Sequence, residues 1–319
     1  MLQQLLTVII PVKNGAQTLD KCLQKIRTQT LPGIEIIVLD SMSTDGSREI
    51  ALKHHAKVID VPAGTFNHGL TRNLGVQHAG AGLIYFTVQD AWIAEEDMLQ
   101  KMVNHFEDAA VQSVTGMQAT PHEADKNPVK WFKRFTPPIA EERVFKAGEF
   151  KNLTPEKQLL LSRWDNVNAM YRKQALMQQP FAATGLAEDI IWAQQALQKG
   201  WKMVNDPSLL VYHYHHHGFG YTFKISYAEY YIVNSQFSLL PPYPPALSFF
   251  KSLNTLAKNK SVPLIKKGYW AFHNAGIFSA QLLAVITFRL ARFAGGQKLV
   301  DKGLHFFCAE TPQGKQATP

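Results

Sequence analysis

A chain of 319 residues, 46% apolar and 11% aromatic, has enough hydrophobic material for a large core, which excludes a disordered or fibrous class. Two cysteines, Cys22 and Cys308, cannot make a disulfide framework, and the first residues lack a secretory-signal pattern; both features point to a reducing, cytosolic compartment. The net charge of +8 sits wholly in the tail: residues 1–240 carry 23 Lys and Arg against 23 Asp and Glu, whereas residues 241–319 carry 10 against 2.

Leu5 to Pro11 is a β-branched run that reads as a first strand, closed by Pro11, Val12, Lys13, Asn14 and Gly15. Leu19, Cys22, Leu23 and Ile26 recur at helical spacing, and Pro32-Gly33 ends that helix. Ile34 to Asp40 is a second strand; Ser41 to Ser47 turns into a helix beginning near Asp45; Lys57 to Asp60 is a third strand. Phe66 to Gly75 opens a helix that runs to Ala79. It leads into the apolar strand Ile84 to Val88, which delivers Gln89 and Asp90 to its C-terminal end. This alternation predicts an α/β fold of Rossmann-like type, a mostly parallel central sheet with flanking helices. Ligands of such sheets bind outside the carboxyl ends of the strands. Lys13, Asn14, Asp40, Ser41, Ser43, Arg72, Asn73 and Asp90 therefore share one polar rim. A carboxylate there can hold a divalent cation against a diphosphate, and an arginine matches phosphate geometry. A base and ribose fit beside Asp40 and Ser41. The sequence has neither a Gly-rich dinucleotide fingerprint nor a Walker-type phosphate loop.

Val111 to Ala119 is a further strand. Residues 121–156 are then polar and aromatic, with Trp131, Phe132, Phe135 and Phe145, and read as an insertion with a small satellite core or as a mobile acceptor-side loop. Order returns at Asn166 to Arg172. Glu188 and Asp189 fall in the first turn of a helix ending at Gly200, with Ile190, Ala193 and Leu197 on one face. A helix N-terminus favours ionised carboxylates, so these two acidic residues compensate the macrodipole and are expected to be ionised. Along Leu209 to His217, strand alternation puts Val211, His213, His215 and His217 on one side, a pattern able to bind metal.

Pro241 to Pro245 reads as a stiff linker, giving a domain over 1–240 and a basic helical extension over 241–319. In the extension, Lys258, Lys260, Lys266 and Lys267 precede Tyr269 and Trp270. The apolar run Ala275 to Phe288 is shorter than the ~18–20 residues of a bilayer span, as is every other run. It fits a buried helix or one lying in a membrane interface. A basic tail without a recognised nucleic-acid module fits an anionic membrane surface, not nucleic acid. Residues from Thr311 read as disordered.

Val8 to Asn14, Val38 to Gly46 and Thr71 to Gly75 resemble the successive signatures of family 2 inverting glycosyltransferases. Phe66 to Asn73, with Thr87 to Ala91, resembles the branch that includes bacterial rhamnosyltransferases. The resemblance covers roughly residues 5–217 and implies the GT-A fold, with a nucleotide-sugar half over 1–119 and an acceptor half over 120–240. It implies transfer of a sugar, best matched by L-rhamnose from dTDP-L-rhamnose, to a hydroxyl of a cell-surface glycan or lipid-linked acceptor. A UDP-hexose donor and a non-catalytic nucleotide-sugar-binding protein are the alternatives. Donor-binding residues implied are Pro11, Val12, Lys13, Asp40, Ser41, His68, Arg72, Gln89 and Asp90. Mg²⁺ or Mn²⁺ is implied at Asp90, with His213 and His215 matching the family's Val-x-His-x-His pattern. Asp189 matches the catalytic base, with Glu188 as its orienting neighbour. Two positions depart from the family: Gln89-Asp90-Ala91 stands in place of an Asp-x-Asp pair, and Ser41 in place of a second Asp. The expected location is the cytoplasm, peripheral on the inner face of the plasma membrane; the oligomeric state is open.

Overall fold

The computed structural model of the chain describes residues 5–131, 139–146, 148–184 and 186–308. These divide into two compact units, residues 1–119 with 133–214, and residues 120–132 with 215–319.

The first unit runs β1 (Leu6–Val12), α1 (Ala16–Arg27), β2 (Ile34–Asp40), α2 (Ser47–Lys53), β3 (Lys57–Asp60), α3 (His68–His78), β4 (Leu83–Phe86), β5 (Ala91–Ile93), α4 (Met98–Asn104), β6 (Val111–Ala119), β7 (Glu141–Arg143), α5 (Pro155–Ser162), β8 (Ala169–Arg172), α6 (Lys173–Gln178), α7 (Glu188–Gln198) and β9 (Lys202–His213). The strands form one sheet in the order β3-β2-β1-β4-β8-β6-β9-β5, with β7 on β9. β3, β2, β1 and β4 are mutually parallel; β8 runs against β4 and β6; β9 is parallel to β6; β5 and β7 run against β9.

The sheet is covered on both faces, so its central strands are apolar on both sides. Val8 and Ile10 of β1 join one core with Leu19, Cys22, Leu23 and Ile26 of α1. Ile9, between them, joins the other with Val76 of α3 and Trp192, Ala193 and Leu197 of α7. The period-2 alternation of β1 thus feeds two cores at once. Because β8 is antiparallel, its N-terminal approach reaches the same edge as the C-terminal ends of β1, β2, β4, β6 and β9. Residues 165–168 thereby join the predicted rim.

Several expectations are corrected. β4 ends at Phe86, two residues short of the expected Val88, so Asp90 is reached through the turn between β4 and β5 at the strand's C-terminal end. β9 ends at His213, so the strand alternation expected through His217 stops there. On the predicted face of α7, Ala193 and Leu197 are buried as expected, together with Ile191, Trp192 and Ala196, while Ile190 is only partly so. Within residues 121–156, Glu141–Arg143 pairs with β9, and Phe145 packs edge-on against the fully buried Phe150 at 5.4 Å. Those parts belong to the first unit's fabric. Phe132 and Phe135, and the tail from Thr311, lie outside the described residues.

The second unit contains α8 (Phe219–Phe237), α9 (Ala246–Lys258) and α10 (Leu264–Cys308). α10 is kinked at Gly296, which adopts φ 59°. Tyr227 of α8 packs with Ala284, Phe288 and Val300 of α10 in a core of its own. This packing ties α8 to the C-terminal helices, and the boundary between the units falls after Tyr214 where the proline run at 241–245 suggested a later one. The sequence reading of membrane-spanning length is also corrected. Among the described residues α10 is long and apolar enough to cross a membrane by length and composition. Residues 268–288 hold no Asp, Glu, Lys or Arg, although Asn, His, Gln and Gly interrupt the strictly apolar run.

Candidate active site

At the end of β1, the backbone N–H of Lys13 donates to Gln89 Oε1 (2.8 Å), and Gln89 Nε2 donates back to the Lys13 carbonyl (3.2 Å). This side chain continues the β1–β4 pairing past the end of β4 and fixes the turn that carries Asp90. Gly15 makes room for it: a Cβ there would come within 2.6 Å of the Gln89 amide. Lys13 Nζ is held by the carbonyls of Ser41 (2.6 Å) and Met42 (2.9 Å), so this lysine ties the β1 and β2 ends together. Pro11 and Val12 pair with Leu39 and Asp40 in register. The buried Asp40 accepts the Ser43 N–H at 3.1 Å and lies 3.9 Å from Arg48; the Ser41 hydroxyl is buried without a partner among the described residues. Asn14 and Met42 both have left-handed backbones (φ 48° and 58°), a sparsely populated conformation that collects at functional rims.

Pairing of Ala91 with His213 across β5 and β9 brings the preceding Asp90 beside that histidine, with Oδ1 at 3.4 Å from Nε2. Gln118, at the end of β6, donates its amide to Asp165, leaving Oε1 to face His213 Nδ1 at 2.6 Å. An oxygen can only accept, so Nδ1 carries the proton and Nε2 is turned toward Asp90. A carboxylate oxygen and an imidazole nitrogen so directed are a donor set that fits a divalent cation. His215 lies two residues beyond the strand, its ring 5.2 Å from that of His217.

A second cluster forms where α3 meets α7. Arg72 makes a buried ion pair with Glu188 at 2.9 Å, both side chains about 5% exposed. The same guanidinium nitrogen donates toward His68 Nδ1 (3.3 Å) and the His68 carbonyl (3.2 Å). Burial and the neighbouring guanidinium hold the His68 imidazole down to about 4, so it is the neutral acceptor in this contact. Burial would raise Glu188, but Arg72 and the Asn166 amide outweigh it and keep this carboxyl below its usual range. Arg72, read from sequence as a diphosphate ligand, is thus committed to Glu188. Its neighbour Asn73 clamps the chain at Phe181 through two hydrogen bonds (2.9 and 3.0 Å). Together they fix the segment leading to α7.

Asp189 differs from its neighbour. Its Oδ2 accepts the Asn166 N–H at 3.1 Å, but it has no cationic partner at contact distance among the described residues. Burial, then Glu188 and Asp165, push its carboxyl well above the usual range. A helix N-terminus alone would act in the opposite direction; desolvation and the adjacent carboxylates outweigh the macrodipole's ~0.3–1 kcal/mol. Asn166 bridges the pair, its side-chain amide donating to Glu188 (3.0 Å) while its oxygen accepts from Tyr171 (2.6 Å). Asp165 interacts electrostatically with both His213 and Asp189, so the two clusters are neighbours on one rim.

Residues 7–178 match the model of glycosyl transferase family 2, more than half of the chain. The chain belongs to this family. The enzyme is 31% identical over 217 residues to the O-antigen chain rhamnosyltransferase RfbN of Salmonella typhimurium, an alignment covering 66% of this chain and 67% of the relative. It is 30% identical over 220 residues to WbaN of Salmonella anatum, covering 66% of each. The match thus spans about two thirds of the length of these relatives. Among solved structures, the enzyme resembles the mannosyltransferase PcManGT from Pyrobaculum calidifontis in complex with GDP-Man and Mn²⁺ (TM-score 0.51, 17% identity, 96% of this chain and 81% of that one). It also resembles residues 1–349 of TarS from S. aureus (TM-score 0.52, 14% identity, 98% and 93%). These likenesses establish the GT-A fold of the glycosyltransferase.

Three residues of the enzyme's rim escaped the sequence reading: Gln118, Asp165 and Asn166. Gln118 sits in a strand that reads as ordinary sheet, and Asp165 and Asn166 precede β8, whose antiparallel direction no local pattern signals. The one available sign was that Asp165, Asn166 and Asn168 crowd polar groups directly before a buried strand.

Proposed function

We propose that the enzyme transfers L-rhamnose from dTDP-L-rhamnose, with inversion, to a hydroxyl of a cell-surface glycan or lipid-linked acceptor. The observation that carries this reading is the contrast inside the pair Glu188 and Asp189: one carboxylate is neutralised by Arg72, the other is raised and partly buried at the rim. A base that works near neutral pH needs a raised carboxyl, because proton transfer is most efficient when its pKa approaches the working pH. Asp189 takes the proton of the acceptor hydroxyl as that oxygen bonds to the anomeric carbon from the face opposite the diphosphate. The carbon–oxygen bond to the diphosphate breaks with its electron pair leaving on the nucleotide. Glu188, fixed by Arg72 and Asn166, orients the turn that carries Asp189.

Asp90 and His213, with His215 as a third donor, are the residues that would hold Mg²⁺ or Mn²⁺. An imidazole in the set favours Mn²⁺. Such a cation, when bound, neutralises charge on the departing diphosphate. The Ser41 hydroxyl and Asp40, at the end of β2, are assigned to the nucleoside. The names of the Salmonella relatives support rhamnose as the sugar, and the neighbour with GDP-Man and Mn²⁺ supports a nucleotide sugar with a divalent cation. The basic tail supports a peripheral position on the inner face of the plasma membrane.

The test is a thermal-shift panel of dTDP, UDP and GDP and their sugars, since a ligand of the native state raises the melting temperature. dTDP-L-rhamnose should give the largest rise, strengthened by Mn²⁺. A response to UDP or GDP without one to dTDP would overturn the donor assignment.

A further inference from the structure

In α10, large apolar side chains divide into two sets. Trp270, Ala280, Ala284, Val285 and Phe288 are buried within the second unit. Ile265 (89% exposed), Phe272 (82%), Leu283 (46%), Ile286 (36%), Leu290 (62%) and Phe293 (93%) stand open. Leu264 (84%) and Tyr269 (51%) are exposed as well; at 3.6 residues per turn these eight fall within an arc of about 140°, and the buried set centres roughly on the opposite side. From Ile265 to Phe293, all before the kink at Gly296, they form one straight stripe about 42 Å long. A contiguous apolar patch of that extent marks an interaction surface.

We propose that this stripe docks α10 flat on an anionic bilayer surface, which deepens the membrane reading above by naming the surface and its orientation. Charge selects the occupant. The tail carries all of the net +8, with exposed Lys258 and Lys260 before the stripe, Lys266 in its first turn, and Lys298 and Lys302 after it. A second copy would bring like charge against like, whereas anionic headgroups complement it. Packing selects the orientation. The opposite side of α10 lies against α8, with Tyr227 and Tyr230 at 5.5 and 6.4 Å from Phe288. α8 carries Lys224 and Glu229, which do not belong in hydrocarbon. A helix with one side on such protein and the other on lipid lies in the interface, although its length alone would allow a span.

The experiment sediments the full chain with vesicles of phosphatidylcholine, with and without phosphatidylglycerol. Binding is expected to the anionic vesicles, to weaken with salt, and to be released by alkaline carbonate. Phe272→Ser and Phe293→Ser, at side chains with almost no protein contact, should each weaken binding roughly tenfold or more. Lys260→Glu with Lys266→Glu should weaken it and flatten its salt dependence. Phenylalanine variants that bind like the parent would overturn the stripe while leaving the membrane reading standing. Retention after carbonate would overturn the flat orientation. No binding to any vesicle, together with a dimer in light scattering that Phe293→Ser dissociates, would overturn both.

Discussion

Replacing Arg72 with Met keeps volume beside Phe86 but removes the partner of Glu188. Both side chains of the pair are about 5% exposed, so water cannot take over the role of the guanidinium. Leaving one member of a buried pair unpaired costs about 3–5 kcal/mol. Glu188 has one escape, which is to take up a proton. From an ordinary glutamate value that costs about 3.5 kcal/mol at about pH 7 but only about 1 kcal/mol at about pH 5. The parent enzyme behaves in the opposite sense: with Glu188 held below its usual range, the pair's stability is present above that range and is lost as pH falls through the lowered value. At about 2–4 °C per kcal/mol, Arg72→Met should lower the melting temperature by roughly 7–14 °C at pH 7 and by roughly 2–4 °C at pH 5. Circular dichroism melts at the two pH values measure this directly. Adding Glu188→Gln to Arg72→Met should restore much of the loss at pH 7. Equal losses at both pH values, with no rescue by the second change, would refute the electrostatic account and leave packing as the cause.

Asp189→Asn should lower transfer by about 10²–10⁴-fold with donor binding retained, while Glu188→Gln has a smaller effect on turnover. With Asp189 raised by burial, Glu188 and Asp165, activity should fall on acidification above the ordinary carboxylate range; a pH profile whose acid limb lies at the usual aspartate value would count against it as base. Excess chelator should abolish transfer. Gln118→Ala, which frees the His213 ring, should weaken Mn²⁺ binding in the presence of dTDP by about 10–100-fold, read by electron paramagnetic resonance of free Mn²⁺; unchanged affinity would remove Gln118 from this role. Gly69→Ala would set a Cβ 1.9 Å from the Ala182 carbonyl oxygen, a backbone atom that cannot swing away, and should destabilise by ~1–3 kcal/mol or more. Gly82→Ala, which meets nothing within 4 Å, is the control and should shift the melt far less.

The sequence by itself determined the first half of the sheet. The runs Leu6–Val12 and Ile34–Asp40, and the helical spacing of Leu19, Cys22, Leu23 and Ile26, are local patterns whose burial follows from period alone. The same locality made the rim at Lys13, Asp40, Ser41 and Asp90 legible, since the ends of parallel strands share an edge. The partner of each rim residue was not legible, because periodicity reports that a side chain is buried and not what lies opposite. Gln118 meets His213 across 95 residues and Asn73 meets Phe181 across 108. The first meeting depends on the parallel pairing of β6 with β9, and the second on where β8 and α6 carry the chain after β8 inserts between β4 and β6; no local signal announces either. For the same reason Arg72 was read toward a diphosphate, and Asp189 as an ordinary ionised carboxylate at a helix start. The tertiary structure gave Arg72 to Glu188 and set Asp165 near Asp189, reversing the direction of its shift. In α10 composition alone specified an apolar helix with basic flanks. Only packing against α8 decided which side is core and which is left open, because a helix apolar on nearly every side carries no periodicity to tell them apart.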